Sequence, residues 1–190
     1  IEQVRNPKKR FLNRKGPLRI LVFGGSLGSK VFNQLLPSIF KKINGKNKLS
    51  IIHQSGEIMF ELLEESYKGA DFKVQTIKYI FDMEKKYNWA DIVIARSGAL
   101  TVSELIASGT ASILIPYPFA VDDHQFYNAK ILKDAGASEI IREKDLEKKL
   151  VFNLLKLDRK KCENMALKAK ELHSHDACDE VLKVCNTLLK

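Results

Sequence analysis

Short apolar runs alternate along this chain with longer stretches whose apolar residues recur at helical spacing. The runs at residues 19–23, 49–53, 72–76, 92–95, 111–115 and 137–141 read as β-strands, each followed by a helix. That at 92–95 is continuously apolar and that at 111–115 is so apart from Ser112, as in central strands covered on both faces. This βα alternation predicts an α/β fold, a Rossmann-like doubly wound parallel sheet. Val31, Leu35, Leu36 and Ile39 form the stripe of the first helix, a helix over 100–107 stops at Gly109, and Asp122 is expected to cap a helix running to Ala135 before Gly136. Beyond Ile141 the pattern is helical only, at 146–157, 159–172 and 177–189. Residues 1–17, with two prolines and little periodicity, read as a linker entering a single domain over 18–190.

No apolar run approaches the roughly 20 residues that cross a bilayer, and the polar, basic start lacks a secretory core, so a cytoplasmic chain is expected. The three cysteines, Cys162, Cys178 and Cys185, share no CxxC spacing. They are expected to be reduced and structural, neither a disulfide framework nor a metal site. A net charge of +9 fits nucleic acid, an anionic membrane surface or an anionic ligand. The lysines are spread along the chain, which argues against a dedicated nucleic-acid function. The one dense cluster, Lys8, Lys9, Arg10, Arg14 and Lys15, reads as a solvated part of the linker.

Three polar or glycine-rich segments follow strand-like runs and open helices, which gathers them at the carboxyl edge of the sheet. The first is Gly24-Gly25-Ser26-Leu27-Gly28, where glycines permit close approach to a ligand and Ser26 offers a hydroxyl beside a helix start near Ser29. Its spacing is not the full dinucleotide fingerprint, and His53-Gln54-Ser55-Gly56, with no clear acid, ends the second strand. An ordinary tight turn and a nucleotide loop both fit it. The second runs from Arg96 to Glu104: Ser97 and Gly98 expose backbone N–H groups, Thr101 and Ser103 add hydroxyls, and Glu104 can accept from a ribose diol. Ordinary roles there are a Ser97 cap and a favourable Glu104 charge in the first turn. In the third, Asp122 to Ala129, the structural roles are an Asp122 cap, Asp123 complementing the helix dipole, and Phe126 or Tyr127 packing inward; the functional reading aims His124 and Gln125 at sugar hydroxyls. No acid cluster looks like a metal site; His173 and His175 read as surface residues.

The succession GGSLGS, HQSGE, YIFDM, WADIVIARSGALTVSEL and DDHQFYNA resembles the carboxy-terminal half of the MurG family, bacterial glycosyltransferases that add N-acetylglucosamine to lipid I to make lipid II. Coverage runs from about Leu18 to Ile141, and RSGALTVSE is the most specific element. The resemblance implies a GT-B fold, in which two Rossmann-like domains face each other, one binding UDP-N-acetylglucosamine and the other the lipid acceptor. It implies that Ser26, with Gly25 and Gly28, meets the diphosphate, and that Ile80 lies against uracil. It further implies that Ala99, Leu100, Thr101, Val102 and Ser103, preceded by Ser97 and Gly98, form a phosphate-facing helix start. Glu104 would hold the ribose, and Gln125 with His124 the N-acetylglucosamine ring. Arg5 matches the arginine of an interdomain PVR segment from which Glu2-Gln3 departs.

The family's amino-terminal domain, with its glycine-rich loop and proposed histidine base, has no counterpart here, so no catalytic residue is assigned and the fragment alone is expected to be inactive. The implied reaction is an inverting transfer with no cofactor or metal. The whole enzyme would sit peripherally on the cytoplasmic face of the inner membrane. Alternatives are a separate nucleotide-sugar-binding subunit, like the one that pairs with a membrane-bound partner in eukaryotes, and a sugar-nucleotide epimerase of the same two-domain fold.

Overall fold

A computed structural model describes residues 6–44 and 48–173. Six strands alternate with helices: β1 (Leu18–Phe23), β2 (Leu49–Gln54), β3 (Lys73–Ile77), β4 (Ile92–Ala95), β5 (Ser112–Leu114) and β6 (Ser138–Ile140). All pairings are parallel, in the order β3-β2-β1-β4-β5-β6. That order is the doubly wound one, with its reversal between β1 and β4. The strands lie within one residue of their expected limits, because short runs rich in β-branched and apolar residues, bounded by polar or glycine-containing turns, leave little freedom of assignment. β4 and β5 are buried at every position.

Helices α2 (Lys30–Ile43), α3 (Phe60–Ser66), α4 (Met83–Trp89), α5 (Ala99–Ser108) and α6 (His124–Asp134) follow the first five strands, and α7 (Leu146–Leu155) and α8 (Arg159–Glu171) follow the sixth. Side chains alternate between the sheet's faces, so two cores form. Ile20, Val22, Ile92, Ile94 and Ile113 pack with α2 and α7 on one side. Leu21, Phe23, Val93, Ala95 and Leu114 pack with α5 and α6 on the other. Burying so many aliphatic side chains, at about 1.5–3 kcal/mol each, supplies the main drive to fold. The expected helix at 177–189, with Cys178 and Cys185, lies outside the described residues; Cys162 is buried, which pushes its thiol pKa up.

The start of the chain differs from its reading as a solvated linker. Asn6 accepts from the Lys9 N–H and caps a short helix, α1 (Pro7–Phe11), which packs on α8. Arg10 is 6% exposed and donates to the carbonyls of Ser108 and Gly109 and to Thr110 Oγ1. Arg14 pairs at 2.8 Å with Asp91, which is fully buried and also takes Arg159. Composition hid this because an arginine held by buried carbonyls is indistinguishable, in sequence, from one in water.

Candidate functional site

The register sets three strand ends level: Phe23 pairs with Ala95, and Ala95 with Leu114. The loops after β1, β4 and β5 therefore start side by side at the reversal point, where a doubly wound sheet leaves a crevice. A cavity of about 520 Å³ opens there, lined by Gly24 to Val31, Arg96, Tyr117, Phe119, Gln125 and Glu143. Gly25, Ser26, Gly28 and Gln125 are thus brought together as the motifs imply.

Arg96 braces this crevice. Its Nη1 donates to the carbonyls of Ile115 and Pro116, both at 3.2 Å, and its Nη2 to Ser29 Oγ at 3.2 Å and to Glu143. Its guanidinium also lies 4.7 Å from the centroid of Phe32, so the loops after β1, β4, β5 and β6 share one cation. Sequence reasoning opened the second segment at Arg96 without giving it a role, and left Lys30, Tyr117, Phe119 and Glu143 out of the site. Arg96 could have been found from its place at the end of β4 beside Ser97-Gly98, whereas nothing around Glu143 marks it.

The start of α5 is open. Its N-cap is Gly98 with no side-chain cap, and Ser97, an expected cap, is fully buried and gives its hydroxyl to the Gln125 carbonyl at 2.8 Å. Asn128 Nδ2 donates back to the Ser97 carbonyl at 3.2 Å, which ties α6 to this turn. Leu100 and Ser103 are exposed; Val102 puts its side chain in the core and donates its N–H to the Gly98 carbonyl. Glu104, half-buried, accepts from the Tyr87 hydroxyl at 2.8 Å through Oε2. Burial and then that carboxylate push the Tyr87 pKa well up, so the tyrosine stays a donor. Ile80 is buried in the core cluster that also holds Val102 and Leu105 of α5, and is flanked by exposed Tyr79 and Phe81.

Asp122 is not the cap of α6. Asp122 and Asp123 both adopt left-handed backbone angles, φ 48° and 52°, in a turn of 3-10 helix, and Asp123 occupies the N-cap position without a side-chain cap bond. The Asp123 carboxylate instead takes both Arg142 nitrogens, at 2.7 and 2.6 Å, which holds its pKa below the ordinary range. Phe126 is only partly buried, under the Arg142 guanidinium at 4.0 Å, and Tyr127 is exposed, so neither packs fully inward. Gln125 Oε1 accepts from the Tyr117 N–H at 3.0 Å, which leaves its NH₂ as the free end; His124, exposed, donates through Nδ1 to the Val121 carbonyl at 2.8 Å. Arg5 and His175 lie outside the described residues. Among the described residues no three His, Cys, Asp or Glu side chains gather as a metal site, and no helix is long and apolar enough to cross a membrane.

Residues 19–181 match the model of the glycosyltransferase family 28 C-terminal domain. The chain belongs to that family. Over 190 residues this family 28 domain is 38% identical to the UDP-N-acetylglucosamine--N-acetylmuramyl-(pentapeptide) pyrophosphoryl-undecaprenol N-acetylglucosamine transferase of Dechloromonas aromatica, covering 100% of the chain and 54% of the relative. To the enzyme of the same name in Wigglesworthia glossinidia brevipalpis it is 43% identical over 194 residues, covering 100% and 53%. The crystal structure of Acinetobacter baumannii MurG superimposes with a TM-score of 0.87 at 35% identity, over 97% of this chain and 55% of that one. The family 28 domain thus spans about half the length of these relatives, and the resemblance read from its motifs is borne out. The glycosyltransferase VinC, at 15% identity and a TM-score of 0.60 over 98% of this chain and 44% of its own, shares the fold. The domain has the architecture of the carboxy-terminal half of a GT-B glycosyltransferase.

Proposed function

We propose that this domain binds UDP-N-acetylglucosamine as the donor half of an enzyme that transfers N-acetylglucosamine to lipid I, giving lipid II. The observation that carries the reading is the crevice itself. A glycine loop, an uncapped helix start and a sugar-type amide meet at the reversal point of the sheet, in a domain whose relatives are named for that transfer. The diphosphate lies between the Ser26 loop and the first turn of α5, whose N–H groups and helix dipole favour negative charge. Ile80 borders the uracil, Glu104 accepts from the ribose hydroxyls and Gln125 addresses the sugar. As UDP leaves, charge grows on the diphosphate, where preorganised donors stabilise it most.

The acceptor and the proton-accepting base belong to a part of the whole protein that corresponds to the relatives' other half. That whole protein works peripherally at the cytoplasmic face of the bacterial inner membrane. Titration calorimetry of this chain with UDP-N-acetylglucosamine and UDP, with and without a chelator, tests the donor reading. Binding of both ligands in chelator is expected, and absence of binding under both conditions overturns the reading. Binding that needs a divalent ion would replace the metal-free account of the diphosphate.

A further inference from the structure

His53-Gln54-Ser55-Gly56 has no part in the site as described, yet it lies directly against the glycine loop. Gly28 and Gly56 both have left-handed backbone angles, φ +77° and +78°. A Cβ on Gly28 would come within 1.9 Å of the Ser55 carbonyl oxygen, and one on Gly56 within 2.0 Å of the Leu27 carbonyl oxygen. The two backbones make a contact that only a glycine on each side allows.

Two amides fasten that contact. From α2, Asn33 Nδ2 donates to the Ser55 carbonyl at 2.9 Å; from the end of β2, Gln54 Nε2 reaches the carbonyls of Ser26 at 3.3 Å and Lys78 at 3.2 Å. Both residues are buried, at 0% and 2% exposure. In each, the amide oxygen, Asn33 Oδ1 or Gln54 Oε1, finds no partner among the described residues. An unmet buried acceptor is costly, and an apolar side chain of similar size would fill the space without that cost. Packing therefore does not explain the amides, but their donors do, because each holds the glycine loop or the loop pressed against it.

We infer that Gln54 and Asn33 are positioning residues that fix Ser26 to Gly28 in the conformation that receives the diphosphate of a nucleoside-diphosphate ligand. The inference rests on the donor reading above. A loop held in its bound shape loses little freedom on binding, so affinity for the group it contacts is raised.

The test uses Gln54→Met and Asn33→Ala in the 190-residue chain, titrated with UDP by calorimetry and with uridine by ligand-observed NMR. The expected result is UDP affinity lowered about three- to tenfold, with uridine binding close to wild type and the fold retained; the melting temperature falls in both variants, because each leaves a buried or part-buried carbonyl without its donor. Asn33→Ala reads the same loop from α2 should Gln54→Met fail to fold. UDP affinity unchanged in folded variants, or uridine weakened by the same factor as UDP, overturns the positioning role while leaving the donor reading in place. A wild-type chain that binds no UDP removes the donor reading, and the inference with it.

Discussion

At its amino end α5 begins at Gly98 without a side-chain cap, and the one hydroxyl placed to supply it, Ser97 Oγ, is turned to Gln125. At its carboxyl end Gly109 closes the helix in a left-handed conformation and buried Arg10 donates to the Ser108 and Gly109 carbonyls. The contrast extends across the sheet. Along the carboxyl edge Leu27, Leu100 and Phe119 stand out into solvent at 87%, 73% and 80% exposure. Toward the amino edge Asp91 is fully buried and satisfied by Arg14, Arg159 and the Arg19 N–H. At the closed end the Asp91 carboxylate and the last carbonyls of α5 are paired internally, whereas the start of α5 is left without a side-chain cap. Local rules of capping and burial are relaxed along the edge that carries the crevice.

Asp91→Ala tests the closed end and is expected to have the largest effect. Removing one partner from a buried ion cluster leaves the arginines uncompensated and costs about 3–5 kcal/mol. Urea denaturation should show that loss, and UDP affinity of the folded fraction should be unchanged. A loss of stability below 1 kcal/mol would mean that water reaches the cluster.

At the open end the strongest expected effect is at Glu104. Glu104→Gln should weaken UDP binding by about 1.5–3 kcal/mol, as for a charge-assisted hydrogen bond, with the melting temperature nearly unchanged because the carboxylate does not fill the core. Tyr87→Phe removes the hydroxyl that orients Glu104 and should show a smaller loss. Unchanged UDP affinity in folded Glu104→Gln would remove this residue from the site.

A buried group near the carboxyl end of β2 gives a pH signature. His53 on β2 is fully buried, bonded through Nδ1 to the Tyr67 hydroxyl at 2.9 Å, and burial lowers its pKa to about 3 from 6.5. The unfolded chain therefore binds a proton below pH 6.5 that the native chain refuses. Stability falls as the pH is lowered from 6.5 toward 3, by about 1.4 kcal/mol per pH unit for this one group. Denaturation at pH 7 and pH 5 in wild type and His53→Gln checks it. The substitution should flatten the slope by that amount, and an equal slope in both would place the acid sensitivity elsewhere.

The alternation of apolar runs made the six strands legible; burial at every position leaves a signal in hydrophobicity alone at β4 and β5, whereas the edge strands β3 and β6 are partly exposed and were marked by their place between helical stretches. The glycine loop, the start of α5 and Gln125 were legible because motifs at strand ends must meet at one edge once the sheet is parallel. Three features were not. The burial of Arg10 and Arg14 depends on partners about 100 and 77 positions away in the chain. Glu143 enters the crevice only because β6 lies beside β5. The paired left-handed angles at Asp122 and Asp123 replace a cap that the sequence pattern favours, because Asp123 meets Arg142 across the loop after β6.

The smallest effect expected separates sugar from nucleotide within the open end. Gln125 has its Oε1 committed to the Tyr117 N–H and its backbone carbonyl to Ser97 Oγ, so only its NH₂ is available to a ligand. Gln125→Ala removes that donor. The backbone hydrogen bond from Ser97 does not depend on the side chain, so the turn at the start of α5 should survive. Affinity for UDP should stay at the wild-type value, and affinity for UDP-N-acetylglucosamine should fall by about 1 kcal/mol, the net worth of one hydrogen bond. Calorimetry with both ligands reads the difference directly. An equal loss for UDP would mean that Gln125 acts through the Tyr117 loop and not on the sugar, and the assignment of the two halves of the crevice would have to be redrawn.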